Sequence, residues 1–154
     1  MPLPPFQATL DEHRDTVARF LVAWVGPQDA EDALQETLIS ALRAYPRLRP
    51  GSNVRAWMLT IAKNKAMDFH RARVKRPVLV GDVPEIPDED EIPERDEALW
   101  HAVRELPPKQ QAAVTLRFVA DLSHSEIAGV LDCSEPAARR SLHEGLTKLR
   151  EEWA

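Results

Sequence analysis

One cysteine, Cys133, stands in 154 residues, so no internal disulfide can form. That usage fits a reducing cytoplasm, and without a second cysteine the five scattered histidines offer no tetrahedral zinc set. Glycine is scarce at 5, tyrosine occurs once, and no run alternates β-branched with polar residues. These shortages argue against a strand-rich fold and leave an all-α chain as the expectation. No run reaches the roughly 18 apolar residues of a membrane span, so no membrane insertion is expected. The opening Met1-Pro-Leu-Pro-Pro5 lacks the basic residue and apolar core of a secretory signal. Paired-carboxylate, Ser/His/Asp, phosphate-loop and metal constellations are missing too. The chain is therefore expected not to be an enzyme, with no catalytic residue, cofactor or metal ligand.

What is present is charge, unevenly placed. The formal net charge of −5 has the wrong sign for a nucleic-acid binder. Residues 1–76, however, carry 12 Lys/Arg against 8 Asp/Glu, residues 77–97 carry 1 against 9, and residues 98–154 carry 7 against 8. Neither end is basic enough to hold DNA by phosphate neutralisation alone, since each contact adds one increment to a salt-dependent affinity. A DNA role thus implies a larger partner.

In chain order, Thr9 and Glu12 have the spacing of a capping box and predict a helix through Val17, Phe20, Leu21 and Trp24 that stops at Gly26-Pro27. Asp29 is placed to cap a second helix, Ala30 to Ala44, whose apolar face is Ala33, Leu34, Thr37, Leu38, Ala41 and Leu42. Glu31, Asp32, Gln35 and Glu36 lie off that face, as solubilising charge suited to the helix dipole or as a docking face for a basic partner. After a turn-rich loop, Tyr45–Ser52, a long helix is expected from Asn53 to Arg73. Val54, Trp57, Met58, Ile61, Ala62 and Phe69 read as its core side. Leu59, Thr60, Lys63, Asn64, Met67, His70 and Arg71 fall opposite. Arg71, Arg73, Lys75 and Arg76 give a basic end beyond what dipole complementation requires, and the strip beside it suits single-stranded or distorted nucleic acid. Residues 77–93 hold four prolines and six acids with no helical period, the composition of an extended linker.

Beyond the linker, Leu99, Val103 and Leu106 mark one helix and Lys109–Ala120 another, restarted by Pro107-Pro108. Ser123 and Glu126 then make a capping box before Ile127, Val130 and Leu131. Asp132-Cys133-Ser134 is a turn, and Ser134 can cap a last helix with Pro136 in its first turn. Ala138, Leu142, Leu146 and Leu149 share the buried face of that helix, leaving Arg139, Arg140, His143, Glu144 and Lys148 outside. Two readings stand: a helix-turn-helix whose second helix enters a major groove, or a plain helical hairpin in a bundle.

Four motifs bear on the choice: Asp29-Ala-Glu-Asp-Ala-Leu-Gln-Glu36, Trp57-Met-Leu-Thr-Ile-Ala-Lys-Asn-Lys-Ala-Met-Asp68, Leu106-Pro-Pro-Lys-Gln-Gln111 and Ser125-Glu-Ile-Ala128. In this order and spacing the chain resembles the extracytoplasmic-function sigma factors of bacterial RNA polymerase. The resemblance implies two small all-α domains on a flexible acidic linker: a sigma-two bundle in residues 1–76, the linker in 77–97, and a four-helix sigma-four module with the helix-turn-helix in 98–154. It implies that Asp32, Gln35 and Glu36 dock on the clamp helices of core polymerase, while the flap receives sigma-four. Leu48, Leu59 and Asn64 fall where the family holds a base of the melted minus-ten strand, with Lys63, Arg71 and Arg73 on nearby backbone. Arg139, Arg140 and His143 match positions that read or grip the minus-thirty-five element. A regulating anti-sigma factor is implied as well, and no obligate homo-oligomer.

Two departures stand out. Ala137-Ala138 replace the Thr-Val common before the basic run, and Glu144 puts a carboxylate where the family often has arginine. Either Glu144 weakens the contact or it reads a cytosine amine. The competing functions are a sigma-like interaction protein without full promoter reading, and an ordinary helix-turn-helix repressor, which leaves the docking acids unexplained.

Overall fold

The computed structural model describes residues 3–75 and 94–153; Arg76 and residues 77–93 of the expected linker lie outside the described residues, while residues 94–97, expected in the linker, already belong to a helix. Among the described residues there are seven α-helices, one 3-10 turn and no strand, in line with the all-α expectation.

Helix α1 (Phe6–Val25) starts three residues before Thr9, which corrects the capping-box expectation. Pro5 is already placed to accept at its carbonyl from the N–H groups of Ala8 and Thr9. Thr9 is buried instead, its hydroxyl 3.0 Å from Tyr45 Oη, while the Tyr45 hydroxyl donates to the Pro4 carbonyl. With its one proton committed there, Tyr45 accepts from Thr9. A long-range partner thus outweighs a local cap. Phe6 and Trp57 flank the same tyrosine, at ring-centroid distances of 5.2 and 6.2 Å.

Gly26 ends α1 with φ 87°, donating to the Val22 carbonyl, and Pro27 opens α2 (Pro27–Ala44) at once. Only glycine takes that φ cheaply, and proline at a first helical position loses no needed N–H. Asp29 therefore lies within the first turn rather than capping it. Ala30, Ala33, Leu34, Thr37 and Ala41 are buried. Leu42, expected on this face, is 55% exposed, because it lies 100° around the helix beyond Ala41, at the margin of the stripe.

The 3-10 turn Tyr45–Arg47 leads by an irregular loop to α3 (Val54–Lys75), which packs on α1 and α2. The second group follows: α4 (Glu94–Glu105), α5 (Pro108–Phe118), α6 (His124–Leu131) and α7 (Glu135–Trp153). It closes against the first. α4 and α5 lie on α1, and α6 lies on α3. Buried residues from Val17 to Leu149 form one apolar cluster through both groups. At the junction Gln111, 2% exposed, donates from Nε2 to the Trp24 carbonyl at 3.2 Å. The amide is satisfied across the junction, as a buried polar group must be.

The Ser123–Glu126 capping box forms as expected, with bonds of 3.1 and 3.0 Å. Asp132 takes φ 53° at the end of α6, and Ser134 Oγ accepts from Ala137 N at 3.2 Å to start α7. The α6–turn–α7 pair is a helix-turn-helix inside a four-helix group. Ala138, Leu142 and Leu149 are buried and Leu146 half-buried, matching the inward face expected of α7.

Helices α5 and α7 pack closely at Gly145, where an added Cβ would sit 2.9 Å from Val114 Cγ2 and 3.4 Å from Gln110. Gly145→Ala is expected to destabilise by about 1 kcal/mol, overpacking of about 1–3 kcal/mol exceeding the propensity gain of about 1. Gly129→Ala, with open space around it, is expected to stabilise by up to about 1 kcal/mol. Thermal unfolding of both variants checks the opposite signs; a Gly145→Ala protein that melts higher than the parent contradicts this packing.

Candidate polymerase and nucleic-acid interfaces

Three surfaces carry the residues singled out from the sequence. The first is the outer face of α2. Asp32, Gln35 and Glu36 are all exposed, and the same face continues into Ile39 and Leu42, 49% and 55% exposed. Residues three, four and seven apart lie together on a helix, so this is one strip, acidic at its start and apolar at its end. The apolar half was not expected. Spacing alone puts Leu42 inward and Ile39 on neither face. A solvent-facing apolar pair beside charges has the composition of an interface core with a polar rim.

The second surface is α3, where the structure corrects the expected orientation. Leu59 was placed opposite the core, yet it is wholly buried, and Met67 is half-buried. A single apolar stripe on α3 implies one apolar neighbour. The helix has two, α1 with α2 on one side and α6 on the other, so both sides bury apolar residues. Arg55, Leu59 and Lys63 recur every four residues and form the stripe toward α6. Lys63, half-buried, donates from Nζ to the Val130 carbonyl at 3.0 Å. Arg55 Nη2 reaches the Asp121 carbonyl at 3.4 Å and Glu126 Oε2 at 4.0 Å. Asn53 adds a bond of 2.7 Å from Nδ2 to Glu126 Oε2, while its Oδ1 accepts from Ala56 N. Burying Leu59 fully contributes on the order of 1.5–3 kcal/mol.

Asn64 is exposed, 100° around from Lys63. Arg71 is exposed and 3.8 Å from Asp68. The Arg73 side chain lies outside the described residues. Leu48, half-buried, sits in the loop before α3, its N–H bonded to the Tyr45 carbonyl. The structure thus joins Leu59 and Lys63 on one stripe of α3, sets Asn64 on its flank and Arg71 about two turns further along the same helix, and leaves Leu48 in the preceding loop. A crevice lined by Trp24, Met67, Arg71, Pro108 and Gln111 holds about 80 Å3, far below the roughly 300 Å3 at which small-molecule sites begin.

The third surface is α7. Arg139, Arg140, His143 and Glu144 are all exposed on its outer side. Arg139 pairs with Glu135 at 2.9 Å, and Glu144 Oε2 accepts from Gln110 Nε2 at 3.2 Å. The Glu144 carboxylate is therefore drawn toward α5, a tether no local pattern in α7 announces.

Glu126 is where α3 and α6 meet electrostatically. The Ser123 backbone N–H first, then the Asn53 amide, with smaller help from the Ser123 hydroxyl and Arg55, hold its carboxyl below the ordinary value of 4.5 against the opposing effect of burial. A carboxyl lowered on folding contributes stability that is present above pH 4.5 and is lost as pH falls through its folded value. Glu126→Gln is accordingly expected to flatten the loss of stability on acidification below pH 4.5. Denaturant unfolding at neutral and acidic pH measures it, and equal slopes for parent and variant contradict the assignment.

Comparison with known proteins bears on these surfaces directly. The family model Sigma-70 region 2 matches residues 9–76, and Sigma-70, region 4 matches residues 96–149. The chain is 35% identical over 144 residues to the ECF RNA polymerase sigma factor BldN of Streptomyces coelicolor, covering 87% of this chain but 54% of that protein. It is 34% identical over 153 residues to the RNA polymerase sigma factor CarQ of Myxococcus xanthus, covering 95% of this chain and 87% of that protein. It is 29% identical to the ECF RNA polymerase sigma factor SigX of Bacillus subtilis, covering 95% and 82%. Among solved structures, RpoE of Bartonella quintana in complex with the anti-sigma factor NepR superposes with a TM-score of 0.78 at 22% identity, covering 95% of this chain and 94% of that one. CnrH in complex with the cytosolic domain of CnrY gives 0.75 at 20%, covering 96% and 86%; at such identities these two share the fold. With both regions present in order, this chain belongs to the extracytoplasmic-function group of the sigma-70 family of RNA polymerase sigma factors.

Proposed function

We propose that the chain binds core RNA polymerase and directs promoter-specific initiation of transcription. The observation that carries this reading is the succession of sigma-70 regions 2 and 4 along one chain, matched at 9–76 and 96–149. On this reading residues 1–76 form the sigma-two domain, 77–93 lie in its linker, and sigma-four begins with α4 at Glu94 rather than at residue 98. The α2 strip of Asp32, Gln35 and Glu36 docks on the clamp helices, with Ile39 and Leu42 extending the contact, and sigma-four engages the flap. Leu48, Leu59 and Asn64 hold the minus-ten strand, and Lys63, Arg71 and Arg73 track its phosphates. Arg139, Arg140 and His143 on α7 address the minus-thirty-five element. The protein catalyses nothing itself and works in the cytoplasm. Among the described residues no helix is long and apolar enough to cross a membrane. An anti-sigma factor is its proposed regulator, supported by the superposable RpoE having been solved in complex with the anti-sigma factor NepR.

Run-off transcription with core polymerase and this protein on a genomic promoter library tests the reading, and no initiated product under any condition overturns it. Asp32→Arg with Glu36→Arg, both exposed, is expected to leave stability within about 0.5 kcal/mol and to weaken core binding roughly tenfold or more. Binding titrations read the second number. Glu144→Arg is expected to strengthen promoter binding by on the order of 1 kcal/mol and steepen its salt dependence by about one contact. A changed sequence preference in a selection from random promoters would instead make Glu144 a reader of the minus-thirty-five element.

A further inference from the structure

The loop between α2 and α3 carries two arginines, Arg47 and Arg49, that none of the three surfaces uses. Its residues Tyr45-Pro-Arg-Leu-Arg-Pro-Gly-Ser52 fold as two successive turns. In the first, the 3-10 turn, Leu48 N donates to the Tyr45 carbonyl at 3.0 Å. In the second, Ser52 N donates to the Arg49 carbonyl at 3.2 Å, and the Ser52 hydroxyl donates to the same oxygen at 2.6 Å. Each turn has proline at its second position, Pro46 and Pro50, where a fixed φ suits the chain. Gly51 takes φ 86° at the third position of the second turn, the value a type II turn requires there. Leu48, extended at φ −71° and ψ 133°, joins the two.

Two prolines and two closed turns leave this loop few conformations of its own, so its placement depends on how its ends are held. At the far end Asn53 starts α3, its Oδ1 accepting from Ala56 N. At the near end stands Tyr45, which is buried. Its hydroxyl donates to the Pro4 carbonyl and accepts from Thr9, and its ring is flanked by Phe6 of α1 and Trp57 of α3. The two turn bonds each span three residues, whereas Tyr45 reaches back 36 and 41. The tyrosine thus ties the loop to the start of α1. What the loop presents is Arg47-Leu48-Arg49, a half-buried leucine between two exposed arginines that make no ion pair among the described residues. Apolar surface suits an unstacked base, and cations on either side suit the phosphates next to it.

We propose that Tyr45 is a positioning residue for the strand-holding loop: hooked to the start of α1, it sets a preformed Arg47-Leu48-Arg49 surface on which a base and its two flanking phosphates are held. This rests on the promoter reading of Leu48 given above. It adds Arg47 and Arg49 to the site and makes the N-terminal segment at Pro4 part of its support. A loop already ordered has no ordering entropy to lose when the strand arrives, so the Tyr45 hydroxyl acts on base binding without touching the base.

The test titrates the full chain, bound to core polymerase, with a non-template-strand oligonucleotide from a promoter that run-off identifies, in versions carrying each base at each minus-ten position. Tyr45→Phe should weaken the preferred version about tenfold and bring all four bases at the held position within about twofold, with the salt slope unchanged. Arg47→Ala and Arg49→Ala should each lower that slope by about 0.7 and keep the parental base preference. Tyr45→Phe also leaves the buried Thr9 hydroxyl without its partner, which costs stability. Adding Thr9→Val removes that orphan and should return melting toward the parent, while the flattened preference stays because Pro4 remains unhooked. A preference that recovers together with melting overturns the positioning role, as does parental preference in Tyr45→Phe. Parental salt slopes in both arginine variants overturn their place in the site. Without DNA, exchange of the Leu48 and Ser52 amide protons should quicken about fivefold in the Tyr45→Phe, Thr9→Val chain and not in Gly145→Ala. Equal rates in parent and double variant overturn the hook. If the parent initiates nowhere, the promoter reading falls and the site with it, whatever the exchange rates show.

Discussion

Helix α3 meets neighbours on two sides, and much of the rest of the structure follows from that constraint. Its inner side packs on α1 and α2, and its Arg55–Leu59–Lys63 stripe packs on α6. A helix buried on two sides must satisfy polar groups on each. It does so by sending Asn53, Arg55 and Lys63 to the ends of α6 rather than into water. The apolar cluster therefore runs unbroken through both helical groups, with Gln111 and the Trp24 carbonyl sealing a second point of the junction. Without that junction, Leu59 would be an exposed leucine on a basic face.

A formal charge of −5 disfavours unaided binding to DNA, and the structure distributes that burden. Part of the positive charge of α3 is met inside the chain by Glu126 and by backbone carbonyls. On α7, Arg139 is held by Glu135 and Glu144 is held by Gln110. The proposed function does not ask these surfaces to bind DNA alone. In the proposed function, polymerase is bound through the α2 strip, whose apolar end can exclude water around its acids, and promoter contacts then become effectively intramolecular.

Much of the fold was legible in residue order. Gly26-Pro27 announced the α1–α2 break because only glycine accepts the left-handed φ found there, and Ser123 with Glu126 announced α6 because two orphan donors find partners within four residues. Thr9 with Glu12 carried the same signature and misled, since Pro5 begins the helix earlier and Tyr45, 36 residues on, takes the threonine hydroxyl. The outer positions of α2 and α7 were legible too, being polar residues on helices with one buried side. Leu59 and Leu42 exchanged places against expectation, the first buried and the second exposed. Spacing reports which residues share a face, but not how many faces will find a neighbour.

The amino-acid order by itself determined the all-α class, the helix-turn-helix and the family, because periodicity, caps and motif spacing are local properties of the chain. Tertiary structure alone decided that α6 lies on α3, that Lys63 ends on the Val130 carbonyl, and that Glu144 leans toward Gln110. The reason is physical. Each of those contacts joins residues 34 or more apart in the chain through a pair of orphaned or charged groups, and such pairs are selected by the packing of whole helices rather than by any pattern within one.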